Sequence, residues 1–172
     1  MTGPAAPSDD GQAAAGSSKL EQLRASFQRK LDEPRLYKKL PGGDGALVAE
    51  YRVLSSKESK EALSADDEFG QNADILIRSL VALHRHDPEH SAANDRGLVP
   101  LDVWLETTTG ALGFDNRLVE ALGLALPDNK ARTIARELFN GNEISLGAQA
   151  AELLAWMTNT TTEAFQDFPK GS

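Results

Sequence analysis

The sequence predicts a mainly helical α+β domain: several short amphipathic helices, a small β-sheet or hairpin, and a disordered N-terminal arm. Three observations carry this. The C-terminal third repeats apolar residues at helical spacing between capping residues. Two stretches, Leu47–Leu54 and Leu98–Leu105, alternate instead with a period of two. The chain has 172 residues, 40% hydrophobic and 26% charged, enough apolar material for one core and one domain.

Taken in order, residues 1–17 are Gly, Ala, Pro, Ser and Asp with no large apolar side chain after Met1. Such a segment buries too little surface to offset its ordering entropy, so it reads as a disordered arm. Residues 18–160 read as a single mostly helical domain and 161–172 as a frayed tail. Ser18 and Glu21 have capping-box spacing. Leu20, Leu23, Phe27 and Leu31 fall on one helical stripe, and Pro34 closes that helix. Pro41–Gly45 (PGGDG) is a turn signal, expected between a helix and the strand that follows. In Leu47–Leu54, Leu47, Ala49, Tyr51 and Val53 share one face and Glu50 and Arg52 the other. Residues 55–71 are polar and fit either a short helix or a loop.

Asn72 is placed to cap a helix from Ala73 to about His86, with Ile75, Leu76, Leu80 and Leu83 as its apolar face. Leu98–Leu105 alternates, and Pro100 assigns it to a sheet edge. The turn at Thr107–Gly110 leads to a hairpin return at Ala111–Phe114. Asp115 caps a helix that Gly123 stops. Asp128 caps the next helix, in which Ala131, Ile134, Ala135, Leu138 and Phe139 make an amphipathic pattern; Asn140–Gly141 ends it. A last helix starts near Ser145 and buries Leu146, Ala150, Leu153, Leu154 and Met157, with Trp156 nearby.

Charge narrows the function classes. Net charge is −8, whereas a general nucleic-acid binder needs basic residues to neutralise phosphates. The charge is divided: residues 1–18 carry −2, residues 19–60 carry +4 and residues 61–172 carry −10. The basic strip Arg24, Arg29, Lys30, Arg35, Lys38 and Lys39 could meet an acidic partner, but only Tyr37 offers a ring for base stacking. A solvated helix face is its plainer reading. With no cysteine, disulfides, thiol nucleophiles and Cys-ligated zinc are excluded. No apolar run has the length of a membrane span, and the N-terminus lacks the pattern of a signal peptide.

His84, His86 and His90 lie in H-R-H-D-P-E-H and could hold a metal. On a helix, residues two apart diverge, which argues against it; His and Arg at a helix C-terminus favouring the dipole is the plainer explanation. There is no P-loop, no G-x-G-x-x-G and no G-x-S-x-G elbow. Asp66–Asp67–Glu68 reads as solvated surface. The sequence therefore nominates no catalytic, cofactor-binding or metal residue, and points to an interaction role through amphipathic helices.

Five segments, in order, resemble one family. Leu40–Leu54 is similar to a Gly-rich turn followed by a strand ending in aromatic-Arg. Asn72-Ala73-Asp74-Ile75-Leu76-Ile77 resembles an N-A-D-x-L-I helix start. Gly113–Leu118 with Gly123-Leu124 resembles F-D-x-x-L-A-x-x-L-G-L. Ala131-Arg132 to Leu138-Phe139 resembles an A-R-x-(I/V)-x-x-x-L-F helix. Ala155-Trp156-Met157 resembles a closing L-x-x-W helix. Together, from about Phe27 onward, they resemble the tail assembly chaperones of long-tailed actinobacteriophages. Val119 stands where that family has alanine, and the polar arm has no counterpart there. The resemblance implies a non-enzymatic protein of the host cytoplasm, without cofactor or metal and absent from the mature virion. It would bind the tape measure protein and keep it soluble while tail tube protein polymerises around it, with no contact with nucleic acid or membrane. An oligomer is compatible with it, although the sequence does not give the oligomeric state. It also implies a longer product by programmed frameshifting, for which Phe168-Pro169-Lys170 can be encoded across a C-CCA-AAG heptamer. The alternatives are a virion structural component, such as a head–tail connector or tail completion protein, and a metal-dependent enzyme built on the three histidines.

Overall fold

A computed structural model describes residues 19–22, 33–87, 97–101 and 105–166. Contacts divide the chain into two units, Met1–Glu33 and Pro34–Ser172. The first contributes a helical turn at residues 19–22, in which Leu20 is half-exposed. The arm at 1–17, most of the helix expected from Ser18 to Leu31 and the end of the tail at 167–172 lie outside the described residues.

The second unit is an α+β fold: a four-stranded antiparallel sheet in the order β1-β2-β3-β4, with helices sharing a core with the sheet face that carries Ala49 and Tyr51. The strands are β1 (Arg35–Lys39), β2 (Leu47–Arg52), β3 (Leu80–His86) and β4 (Leu98–Pro100). The helices are α1 (Ser56–Ala62), α2 (Glu68–Ser79), α3 (Asn116–Leu122), α4 (Ala131–Glu137) and α5 (Glu143–Gln166). Strand β2 has the expected alternation. Ala49 and Tyr51 point into the core, and Leu47 and Val53 pack against it. Tyr51 is 1% exposed, and burial pushes its phenol well above its usual range. Its hydroxyl still finds a partner, donating to Gln149 Oε1 at 2.5 Å, so the ring is buried without an orphaned donor.

Strand β1 was not expected; the sequence offered it only as part of a basic strip. It pairs along its whole length with β2, from Arg35 opposite Arg52 to Lys39 opposite Val48. The PGGDG turn therefore joins two strands, not a helix and a strand. Gly43, Asp44 and Gly45 all take positive φ there. The open alternative at 55–71 resolves as α1 and the first turn of α2. Ser55 and Glu58 form a complete capping box on α1, the same signal as at Ser18 and Glu21.

The helix expected at 73–86 is corrected at both ends. It starts at Glu68, capped not by Asn72 but by Asp67, whose carboxylate accepts from the Gly70 N–H at 2.6 Å. It stops at Ser79, whose buried hydroxyl donates back to the Ile75 carbonyl at 2.6 Å. Leu80–His86 is strand β3. A bulge gives this strand its helix-like spacing: Tyr51 faces Leu80 while Glu50 faces Ala82, so one residue of β3 is left unpaired. Leu80 and Leu83, which would lie on opposite faces of a regular strand, both turn inward. Their spacing of three then imitates a helix.

Strand β4 occupies a sheet edge, as Pro100 requires. The second alternating stretch is shorter than expected, since β4 covers only Leu98–Pro100. The hairpin at 106–112 reduces to one bridge, Glu106 with Leu112. Asp115 caps α3, and Gly123 ends it at φ 63°. Helix α4 begins after Lys130; Asp128 does not cap it but accepts the Lys130 N–H at 3.0 Å, shaping the turn before it. Asn140 and Gly141, both at positive φ, end α4 as expected. Helix α5 starts at Glu143 because Asn142 Oδ1 accepts from both Ile144 and Ser145 N–H. It continues to Gln166, beyond the point where the tail was expected to fray.

Candidate interaction surface

Helix α5 is the longest element. One stripe of it, Leu146, Ala150, Leu153 and Met157, is buried at the i, i+4, i+7, i+11 spacing that keeps residues on one face. A second stripe at the same spacing, Ile144, Ala148, Ala151 and Ala155, is exposed. At about 100° per residue the two stripes lie on opposite sides of the helix. Helix α5 is thus apolar on two faces and packed on one. Ile144 is 86% exposed; one exposed apolar residue is ordinary on a protein surface, and the second face is defined by its continuity with the three alanines.

Alongside the outer stripe, α2 and α5 enclose an open groove of about 610 Å³ whose walls include Glu68, Phe69, Ile144 and Ala151. Gly147 lets the helices approach: a Cβ there would sit 3.1 Å from the Asn72 side-chain nitrogen. Asn72, expected as a cap, instead lines this groove. Phe69 packs against the core with the Arg136 guanidinium 5.7 Å over its ring. Arg136 also holds Glu143 at 2.9 Å. On the other flank of α5 lies a smaller depression of about 360 Å³. There Lys38 of β1 pairs with Glu152, and Gln149 donates to the Lys39 carbonyl at 3.1 Å.

These contacts dissolve the basic strip as a unit. Arg35, Lys38 and Lys39 lie on a strand, whose side chains alternate between faces, and Lys38 is already paired. Arg24, Arg29 and Lys30 lie outside the described residues.

The histidines also change setting. His84 and His86 belong to β3, where residues two apart share a face; the helix-based divergence does not apply. His90 lies outside the described residues. On the sheet face opposite Ala49 and Tyr51, His84 sits over Tyr37, ring centres 6.0 Å apart, and its Nε2 lies 4.0 Å from Glu50 Oε1. Tyr37 donates to that same oxygen at 2.5 Å. Both His84 ring nitrogens are buried without a hydrogen bond among the described residues. Burial lowers the His84 pKa, and the Glu50 carboxylate only partly opposes this. Among the described residues, no group of three or more His, Asp or Glu is arranged to hold a metal.

The His84 shift has a defined sign. A histidine with a depressed folded-state pKa contributes stability that is present at neutral pH. That stability is lost as pH falls below about 6.5, because the unfolded chain takes up the proton first. Denaturation midpoints should therefore decline from pH 7 towards pH 5 in the wild type. His84→Phe should flatten that decline; an unchanged slope would show that other groups set it.

Comparisons with protein-family models, with curated proteins and with solved structures return no match. Among the described residues no helix is long and apolar enough to cross a membrane.

Proposed function

We propose that this chain is a tail assembly chaperone of the long-tailed phage type. It binds the long, largely helical tape measure protein and shields its apolar stripes until tail tube subunits close around it. A long chain with such stripes aggregates unless they are covered. The role is binding rather than catalysis, carried out in the host cytoplasm, and the chaperone leaves before the virion matures. Any frameshifted longer form would share this body.

The observation that carries the reading is the second, exposed apolar face of α5, centred on Ile144, Ala148 and Ala151. The family-like segments support it by position. Asn72–Ile77 falls in α2, Ala131–Phe139 spans α4, and Ala155-Trp156-Met157 falls in α5. These are the helices that build and brace the groove.

The test is co-expression with the tape measure protein of the same genome. The soluble fraction of tape measure protein should rise several-fold with this chain present, and purified virions should lack it. No gain in solubility would end the proposal. So would stoichiometric recovery of the chain in mature particles, the result expected of a connector or tail completion protein.

A further inference from the structure

We propose that Tyr37, Glu50 and His84 form a proton-operated latch on the edge strand β1: a proton taken up by His84 draws Glu50 away from Tyr37, and β1 loosens from the sheet. The inference stands apart from the chaperone reading and concerns how the fold responds to acid. The three residues lie on three adjacent strands and share one sheet face. Glu50 is directly opposite Tyr37 across the β1–β2 pair. It is diagonal to His84, which faces Val48 across the β2–β3 pair. Glu50 is also the only carboxylate in the four strands. Two side chains therefore compete for it. Tyr37 holds Oε1 at 2.5 Å. His84 Nε2 stands 4.0 Å from that same oxygen, beyond hydrogen-bond reach. Neither His84 ring nitrogen has another partner among the described residues, and the Tyr37 ring lies against the imidazole.

A neutral His84 leaves this arrangement at rest. A protonated one carries two N–H donors and a charge, largely buried and without an acceptor. Closing the gap to Glu50 by about 1 Å supplies a charge-assisted hydrogen bond. The neighbouring charges offer no other acceptor. On the same face β1 carries Arg35 and Lys39 and β2 carries Arg52, all cationic; Arg52 is committed to Glu58. His86 is the other titratable group of β3 on this face, and β4 brings none. Glu50 thus moves to His84, and the Tyr37 hydroxyl loses its acceptor. Strand β1 lies at the end of the strand order, so it can shift without breaking the β2–β3 ladder. The loosening reaches α5, because Lys38 pairs with Glu152 and Gln149 donates to the Lys39 carbonyl. Burial holds His84 below its usual pKa, which keeps the latch closed at neutral pH. The loosened state binds the proton more tightly. It gains up to tenfold over the latched state for each pH unit below about 6.5, until the latched state is protonated as well.

The test is amide hydrogen exchange on the full chain, read by NMR from about pH 7 to about pH 5 and corrected for the intrinsic pH dependence of exchange. Amides bonded between β1 and β2, including Leu40 to the Leu47 carbonyl at the turn, should lose protection several-fold more than those bonded between β2 and β3. Equal loss in both ladders would mean that His84 acts on global stability alone, and overturns the latch. Glu50→Gln still offers Tyr37 a carbonyl acceptor but cannot pair with an imidazolium. It should abolish the β1-specific loss, as should His84→Phe; a loss that persists in either variant overturns the proposal. Competition for one carboxylate has its own signature in the titration of the His84 ring Cε1–H resonance. Tyr37→Phe keeps the ring and removes the competitor, so the His84 midpoint should rise, whereas Glu50→Gln should lower it. A midpoint indifferent to Tyr37→Phe also overturns the proposal.

Discussion

Arg52→Ala is expected to lower the unfolding free energy by about 3 kcal/mol, measured by urea denaturation at neutral pH. Arg52 leaves the end of β2 with its side chain 13% exposed. It holds both oxygens of Glu58, at 2.6 and 3.1 Å, and donates to the Arg78 carbonyl at 3.0 Å. One guanidinium thus ties β2 to the first turn of α1 and the last turn of α2. Without it, Glu58 keeps only its capping contacts to Ser55, and the Arg78 carbonyl loses a donor. Leaving a partly buried carboxylate without its cation costs more than the pair contributes beyond an apolar replacement. Arg52→Met should therefore be milder when combined with Glu58→Leu than on its own. A loss below about 0.5 kcal/mol for Arg52→Ala would place this pair with ordinary surface ion pairs.

The same pair sets part of the acid limb. The Arg52 guanidinium holds the Glu58 carboxyl down to about 2. A depressed carboxyl contributes stability above its unfolded pKa of about 4.3, and that stability is lost as pH falls towards the folded value. Wild-type stability should thus fall between about pH 4.5 and pH 2 by more than that of Arg52→Ala. Parallel acid limbs would remove Glu58 from the account.

What the sequence makes legible follows from where the deciding interactions lie. Helix α3 and the end of α4 could be read because their signals are local. Asp115 bonds a backbone N–H two residues ahead, and Gly123, Asn140 and Gly141 take the left-handed conformation their side chains permit. Strand β1 could not be read, because RLYKK is charged on both faces. Its Lys38 is accommodated by Glu152 of α5, far along the chain. Strand β3 was hidden by its bulge, which gives a strand the inward spacing of a helix. Helix α1 was hidden by its polar surface, although Ser55 and Glu58 announced it. The interaction surface was half legible. Both α5 stripes are apolar at helical spacing, and the larger side chains of Leu146, Leu153 and Met157 marked the inner one. That the alanine stripe stays exposed among the described residues is a property of the packing, which helical spacing does not encode.

Gly42→Ala is expected to cost about 2–3 kcal/mol, near the upper range for adding one methyl group to a packed site. The reason is not turn conformation. Gly42 has φ −68° and ψ 164°, extended backbone open to any residue. Its requirement is space: a Cβ there would lie 2.6 Å from the Leu138 carbonyl oxygen and 3.2 Å from that of Glu137. Both are backbone atoms at the end of α4 and cannot rotate away. The approach is held by the Gly42 N–H bonded to the Leu138 carbonyl at 2.9 Å, and by Asn140 Nδ2 bonded to the Pro41 carbonyl at 3.0 Å. Turn chemistry alone would rank the positive-φ glycines above Gly42. Yet Gly45, at φ 73° with nothing within 4 Å of its Cβ position, should lose only about 1–2 kcal/mol as alanine, the left-handed penalty. Thermal melts of the two single variants decide the order. The clash also reaches the proposed surface. The α4 end that Gly42 grips leads through Asn140–Asn142 directly into the first turn of α5, where Ile144 stands. Gly42→Ala should therefore weaken the solubilising of tape measure protein at temperatures where the protein is still folded, whereas Gly45→Ala should leave it unchanged. Equal solubilising by the two variants would show that the grip on α4 stabilises the fold without positioning α5.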